Sequence, residues 1–164
     1  MTRRTLTDLA TGGAVVVACV LLGSPAGLLW SGVAPRLRVM LGPDGPSAVG
    51  AEGKTFIGGD GSFLVVVVLL GLLSGALAWL LARRGGPWTV LGLLVGGLLA
   101  AEVAAAVGVL PGRAHVKALL HDPRARGEVL LYLKLRTPWA VVGWPVAALT
   151  AFLVAALRRP EELD

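Results

Sequence analysis

Residues 9–30, 63–82, 88–110 and 139–157 form four apolar runs, each long enough to cross a hydrocarbon layer of about 30 Å at about 1.5 Å per residue. Three of them contain no Asp, Glu, Lys or Arg, and the exception in the third is Glu102. In lipid a backbone must satisfy its own hydrogen bonds, so each run is expected to be a helix. Composition agrees: 55% of the 164 residues are hydrophobic even before the 23 glycines are counted, and only 15% are charged. Soluble domains hold about 45–50% apolar residues with glycine included and about 25% charged. An ordinary soluble fold is thereby excluded, and the expected class is an all-α transmembrane four-helix bundle forming one unit over 1–164.

The basic residues serve topology. Lys and Arg total 15 against 10 acids, a net charge of +5, and they cluster in the segments beside the apolar runs. In a soluble chain this balance would suggest nucleic acid; here it reads as orientation. With the N-terminus in the cytoplasm, the inner face holds Arg3, Arg4, Arg83, Arg84, Arg158 and Arg159 at high density in short segments. The outer loops, 31–62 and 111–138, are long and cross largely regardless of charge. Both termini are therefore expected inside, in the plasma membrane, with Trp30 and Trp139 marking the outer belt and Trp79 and Trp88 the inner one. Arg3-Arg4 and Val16-Val17-Ala18-Cys19 loosely resemble export signals, but the apolar run continues from Cys19 to Trp30, so a retained first helix is expected. Cys19 is the only cysteine, which excludes an internal disulfide.

Lipid gives helices no hydrophobic reason to associate, so small residues that let backbones approach must supply much of the packing. Gly71, Ser74, Gly75, Ala78 and Ala82 share one face of the second run. Gly92, Gly96, Ala100, Ala104 and Gly108 recur at every fourth position of the third, and Ala140, Gly143, Ala147, Ala151 and Ala155 mark the fourth. The short Arg83-Arg84-Gly85-Gly86-Pro87 connection predicts that the second and third helices are antiparallel neighbours whose small faces meet. Pro25 and Pro145 are expected to kink the first and fourth.

The long loops show period-two patterning. Residues 36–41 alternate before the turn residues Gly42-Pro43-Asp44-Gly45-Pro46, Lys54-Thr55-Phe56-Ile57 precedes a Gly58-Gly59-Asp60-Gly61 turn, and 128–136 alternates again. A hairpin alone is marginal in water, so strands from both loops are expected to pair into a small outer β cap. An amphipathic helix is expected at 115–121. His115 and His121 stand six apart, not at the i, i+4 spacing that lets two imidazoles share an ion, so no metal site is expected. No nucleophile motif, Walker loop or carboxylate pair is present, so neither enzymatic activity nor a cofactor is expected.

Glu102 is the functional candidate by default, because ionisable groups inside a membrane are costly and face protein or water. On an ideal helix it lies on the side of Leu91, Val95, Leu98 and Val109, opposite the glycine stripe. A neighbouring helix or another subunit is expected to cover it, unless Arg38, Lys134 or Arg136 reaches in from the cap.

Gly27-Leu28-Leu29-Trp30 with Ala34-Pro35, Asp60-Gly61 two residues before Phe63, Arg83-Arg84-Gly85-Gly86, and Leu133-Lys134-Leu135-Arg136-Thr137-Pro138 leading to Trp144-Pro145 form an ordered set. In order and spacing the chain resembles an actinobacterial family of small four-span membrane proteins catalogued only as a domain of unknown function. That resemblance implies an inner-membrane protein with a loop-rich outer face and carries over no catalytic residue; residues 114–127 depart from it most.

Three functions fit such a chain. The first is a non-enzymatic envelope scaffold or accessory subunit that binds other membrane proteins or itself. The second is a small oligomeric transporter or channel with Glu102 as proton or cation site. The third is an enzyme acting on lipid-linked substrates through the basic third loop, which lacks any visible acid/base pair. A single intramembrane carboxylate offers little with which to select a solute, and this favours the first.

Overall fold

A computed structural model of the chain describes residues 3–42, 45–48, 52–81, 86–121 and 127–158. In chain order the elements are α1 (Arg3–Val33), β1 (Arg38–Gly42), β2 (Gly45–Ala48), α2 (Glu52–Leu81), α3 (Pro87–Val109), α4 (Arg113–His121), β3 (Gly127–Leu130), a 3-10 turn (Pro138–Val142) and α5 (Gly143–Leu157). Four helical stretches, Thr5–Val33, Ile57–Leu81, Pro87–Val109 and Pro138–Leu157, are long and apolar enough to cross a membrane. The expected all-α bundle with a small β cap is the observed architecture.

Two boundaries differ from the sequence pattern. Residues 54–57, expected as a strand, and 58–61, expected as a glycine turn, belong to α2. Helix satisfies the backbone of this stretch without a partner strand, and the glycines allow close approach: a Cβ on Gly58 would lie 2.9 Å from the Pro35 ring. Pro145, expected to kink a span, sits in the first turn of α5, just after the 3-10 turn gives way to α-helix. There a missing N–H costs no intrahelical bond. Pro25 stands within α1, which runs unbroken past it.

The helix pairing departs from the loop-length expectation. α1 packs along α3 and α2 along α5, α3 and α5 join the two pairs, and α2 meets α3 only slightly. Both close pairs are parallel. Going along α1 and α3 together, Gly92 lies against the Gly12 backbone, Gly96 against Val16, Gly23 against the Ala100 carbonyl and Gly27 against that of Ala104. A Cβ at Gly23, Gly27 or Gly92 would stand only 2.5–2.6 Å from a carbonyl oxygen. On α2, Gly71 faces Trp144 and Ala147, while Gly75 faces Ala148 of α5. The stripes at Gly71/Gly75 and Gly92/Gly96 are thus packing faces, each turned to a different helix from the one expected. A short connection makes two spans antiparallel, but in lipid the closest approach of backbones decides which faces meet.

The cap is an antiparallel sheet of order β2-β1-β3 that unites the two long loops. Arg38 pairs with Leu130, Met40 with Glu128 on one side and Ser47 on the other. β1 buries Val39 and Leu41 and exposes Arg38 and Met40, as its alternation predicts. β3 ends at Leu130, short of the expected 136, although the Leu131 amide still donates to the Leu37 carbonyl at 2.8 Å. Further on, the amides of Arg136 and Thr137 turn to a side-chain acceptor.

Candidate functional site

Three of the residues that carry the sequence resemblance, Trp30, Asp60 and Thr137, lie where the cap meets the bundle, whereas Arg83, Arg84 and Gly85 fall outside the described residues. Trp30 ends the core of α1; its indole N–H donates to the Gly59 carbonyl at 2.9 Å, and its ring stands edge-on to Phe63 at 5.0 Å. Gly108 passes beneath the same indole, where a Cβ would overlap the ring. Trp30 is only 1% exposed, so it is a core anchor and not the outer-belt tryptophan expected; Trp139, at 79%, does stand at the surface. One turn earlier on α2, Asp60 accepts from the backbone N–H of Arg136 at 3.2 Å and of Thr137 at 3.0 Å. The Thr137 hydroxyl also donates to Asp60, at 2.6 Å. Thr137 is the residue just before the 3-10 turn, so this carboxylate ties the entry of the last span to α2.

Asp60 also takes the amide of Arg136, the last residue of the expected strand, which is thereby withdrawn from any ladder. Deeper in the same seam, the Trp144 indole donates to the Ser74 hydroxyl at 3.3 Å, and Ser74 donates to the Gly71 carbonyl at 2.8 Å. The roles of Trp30, Asp60 and Ser74 were missed by sequence reasoning. The available signal was Thr137-Pro138, which marks the start of a helical turn.

The basic candidates separate. Arg38 pairs with Glu128 at 3.2 Å across the sheet, an exposed ion pair. Lys134 and Arg136 flank a small recess of about 130 Å³ beside Pro35, Leu37 and Tyr132. Arg136 also borders an open cleft of about 620 Å³ between α2 and the 3-10 turn, lined by Ile57, Leu64 and Trp139. None of the three reaches Glu102, which has no hydrogen bond or ion pair with a described residue.

Glu102 itself faces outward from α3, opposite the packed glycine stripe, among exposed Leu91, Val95, Leu99 and Ala106. Neither α1 nor α5 covers it, contrary to one of the two arrangements expected. It lies seven residues before the end of α3, about 10 Å below the cap end of the helix.

No group of three or more His, Cys, Asp or Glu able to hold a metal occurs among the described residues. His115 and His121 lie in α4, and their side chains fall outside the described set.

No protein-family model matches the chain, and no solved structure matches it. It is 34% identical to an uncharacterized protein of Mycobacterium leprae over 110 residues, 60% of this chain and 54% of that relative. It is 33% identical to uncharacterized proteins of Mycobacterium bovis and Mycobacterium tuberculosis over 129 residues, 71% of this chain and 64% of each. The chain thus spans less than two thirds of the length of these relatives. The kinship that the motifs around Trp30, Asp60 and Thr137 implied is accordingly real: this chain is a relative of uncharacterized actinobacterial proteins.

Proposed function

We propose that the chain is a non-enzymatic scaffold or accessory subunit of the plasma membrane, with both termini cytoplasmic, that docks a partner membrane protein on the outer face of α3. The observation that carries this reading is Glu102: an ionisable side chain on the lipid-facing surface of a span, with no partner in its own chain among the described residues. An acidic residue near the middle of a bilayer costs roughly 2.5–3.5 kcal/mol on insertion scales, and such groups face protein or water. A partner helix supplying a hydroxyl, amide or basic side chain removes that cost. Leu91, Val95 and Leu99 surround the carboxyl with the apolar contact such a helix needs.

The test is mild-detergent purification of wild type, Glu102→Gln and Glu102→Leu, followed by mass spectrometry of what remains bound. The expected result is one stoichiometric membrane partner, retained by the Gln variant and lost by the Leu variant. A clean homo-oligomer whose proton-coupled flux in proteoliposomes disappears in Glu102→Gln would overturn the reading in favour of a transporter.

A further inference from the structure

α1 and α2 turn their glycine faces elsewhere: Gly12, Gly23 and Gly27 of α1 lie against α3, and Gly71 and Gly75 of α2 against α5. Without such a face between them, the two helices leave a groove of about 310 Å³ in the half of the bundle away from the cap. Buried Cys19, Ser74 and Ala78 form its floor, and exposed Ala14, Ala18 and Leu77 line its mouth, so it opens sideways on the lipid-facing surface. The polar groups on its walls are already engaged. Ser74 donates to the Gly71 carbonyl at 2.8 Å and accepts from the Trp144 indole at 3.3 Å, and the Thr11 hydroxyl donates to the Thr7 carbonyl at 2.9 Å. The Cys19 thiol, a weak donor, is hydrogen-bonded to the same Ser74. A buried water needs about two to four polar partners, which this groove does not offer, so its occupant is apolar. On α1 the groove extends from Thr11 to Leu22, about 16 Å at about 1.5 Å per residue, close to half of a hydrocarbon layer of about 30 Å. Its volume over that length leaves a cross-section of roughly 20 Å². A helix with its side chains is about 10–12 Å across and is several times too wide to enter, whereas a single extended hydrocarbon chain fits.

We infer that this groove holds one acyl chain of a phospholipid from the leaflet away from the cap, inserted between α1 and α2 from the side. The groove is continuous with the lipid-facing surface, and its length is the depth of one leaflet. It reaches Leu81, the last residue of α2 and 85% exposed, which puts its open end where a phospholipid's headgroup leaves the chain. The site lies on other helix faces than Glu102 and does not depend on a protein partner at α3.

The experiment uses the full chain in phosphatidylcholine nanodiscs containing trace phosphatidylcholine with a diazirine in mid-chain, irradiated and mapped by peptide mass spectrometry. In wild type, lipid adducts are expected to concentrate on Ala14, Ala18 and Ala78 over the exposed Leu64, Leu69 and Leu153 outside the groove. Ala18→Phe fills the groove and is expected to lose the adducts at Ala14 and Ala78. Ala76→Phe, exposed on the side of α2 turned away from the groove, is expected to keep them. Should Ala18→Phe not reconstitute, Ala14→Phe takes its place and is read at Ala18 and Ala78, and the wild-type pattern is read without any variant. Adducts spread evenly over all exposed positions, or adducts undiminished in Ala18→Phe, would each overturn the proposal. Equal labelling of the groove by a free diazirine fatty acid at the same mole fraction would overturn the phospholipid as its occupant.

Discussion

At the scale of the residue, two side chains show how much depends on where a polar group finds its partner. Asp60 ties α2 to the segment that leads into the last span, and its acceptors satisfy two amides that neither sheet nor helix uses. Asp60→Ala is expected to cost about 1–2 kcal/mol, the value of hydrogen bonds to a charged acceptor reduced by partial exposure. Thermal unfolding in detergent checks this, and an unchanged midpoint would show that the link carries no stability. Thr89 presents the opposite case. It is fully buried near the start of α3, and its hydroxyl has no hydrogen-bond partner among the described residues. Replacing an unsatisfied hydroxyl by a methyl of the same shape removes a desolvation penalty, so Thr89→Val is expected to leave the protein equally stable or to stabilise it by up to about 1 kcal/mol. A lower unfolding midpoint in the same assay would mean the hydroxyl is satisfied after all.

At the scale of the element, the bundle is held by two parallel pairs whose backbones come close through glycine. Gly75 is the tightest point of the α2–α5 pair, since a Cβ there would overlap the Ala148 carbonyl. Gly75→Val must therefore push α2 and α5 apart, at an expected cost of about 1–3 kcal/mol, the usual range for overpacking a core. Gly13 on α1 is the control: nothing lies within 4 Å of a Cβ built there. Gly13→Ala is expected to be neutral or slightly stabilising, because alanine is the better helix former by about 0.5–1 kcal/mol. If both variants unfold at the same temperature, close approach is not what joins the helices. The cap contributes less, and its exposed Arg38–Glu128 pair contributes about 0–1 kcal/mol at most.

At the scale of the whole molecule, the cap unites both long loops on one end of the bundle, and Arg113 and the sheet share that end. Under the proposed topology this end is extracellular. In a Cys19→Ser background, a membrane-impermeant thiol reagent applied to intact cells is expected to label Arg113→Cys and to spare Gly86→Cys. Labelling of Gly86→Cys alone would reverse the orientation.

The sequence by itself determined the number and approximate extent of the spans, because a hydrocarbon environment makes length and apolarity nearly sufficient evidence for a helix. It also determined the character of β1, whose alternation is visible in Val39 and Leu41 against Arg38 and Met40. It marked Gly71, Gly75, Gly92 and Gly96 as points of close approach, because a four-residue repeat of small side chains keeps to one side of a helix. Only the tertiary structure decided which helix each stripe meets. Pairing is a comparison among surfaces, and a short connection between α2 and α3 says how the chain travels, not which backbones fit closest. Tertiary structure also turned residues 52–62 into helix, drew Trp30 inward to Gly59, and took the amides of Arg136 and Thr137 away from the sheet. Each of those outcomes depends on an acceptor or a wall supplied by a segment far away in the chain, and a local pattern contains no record of it.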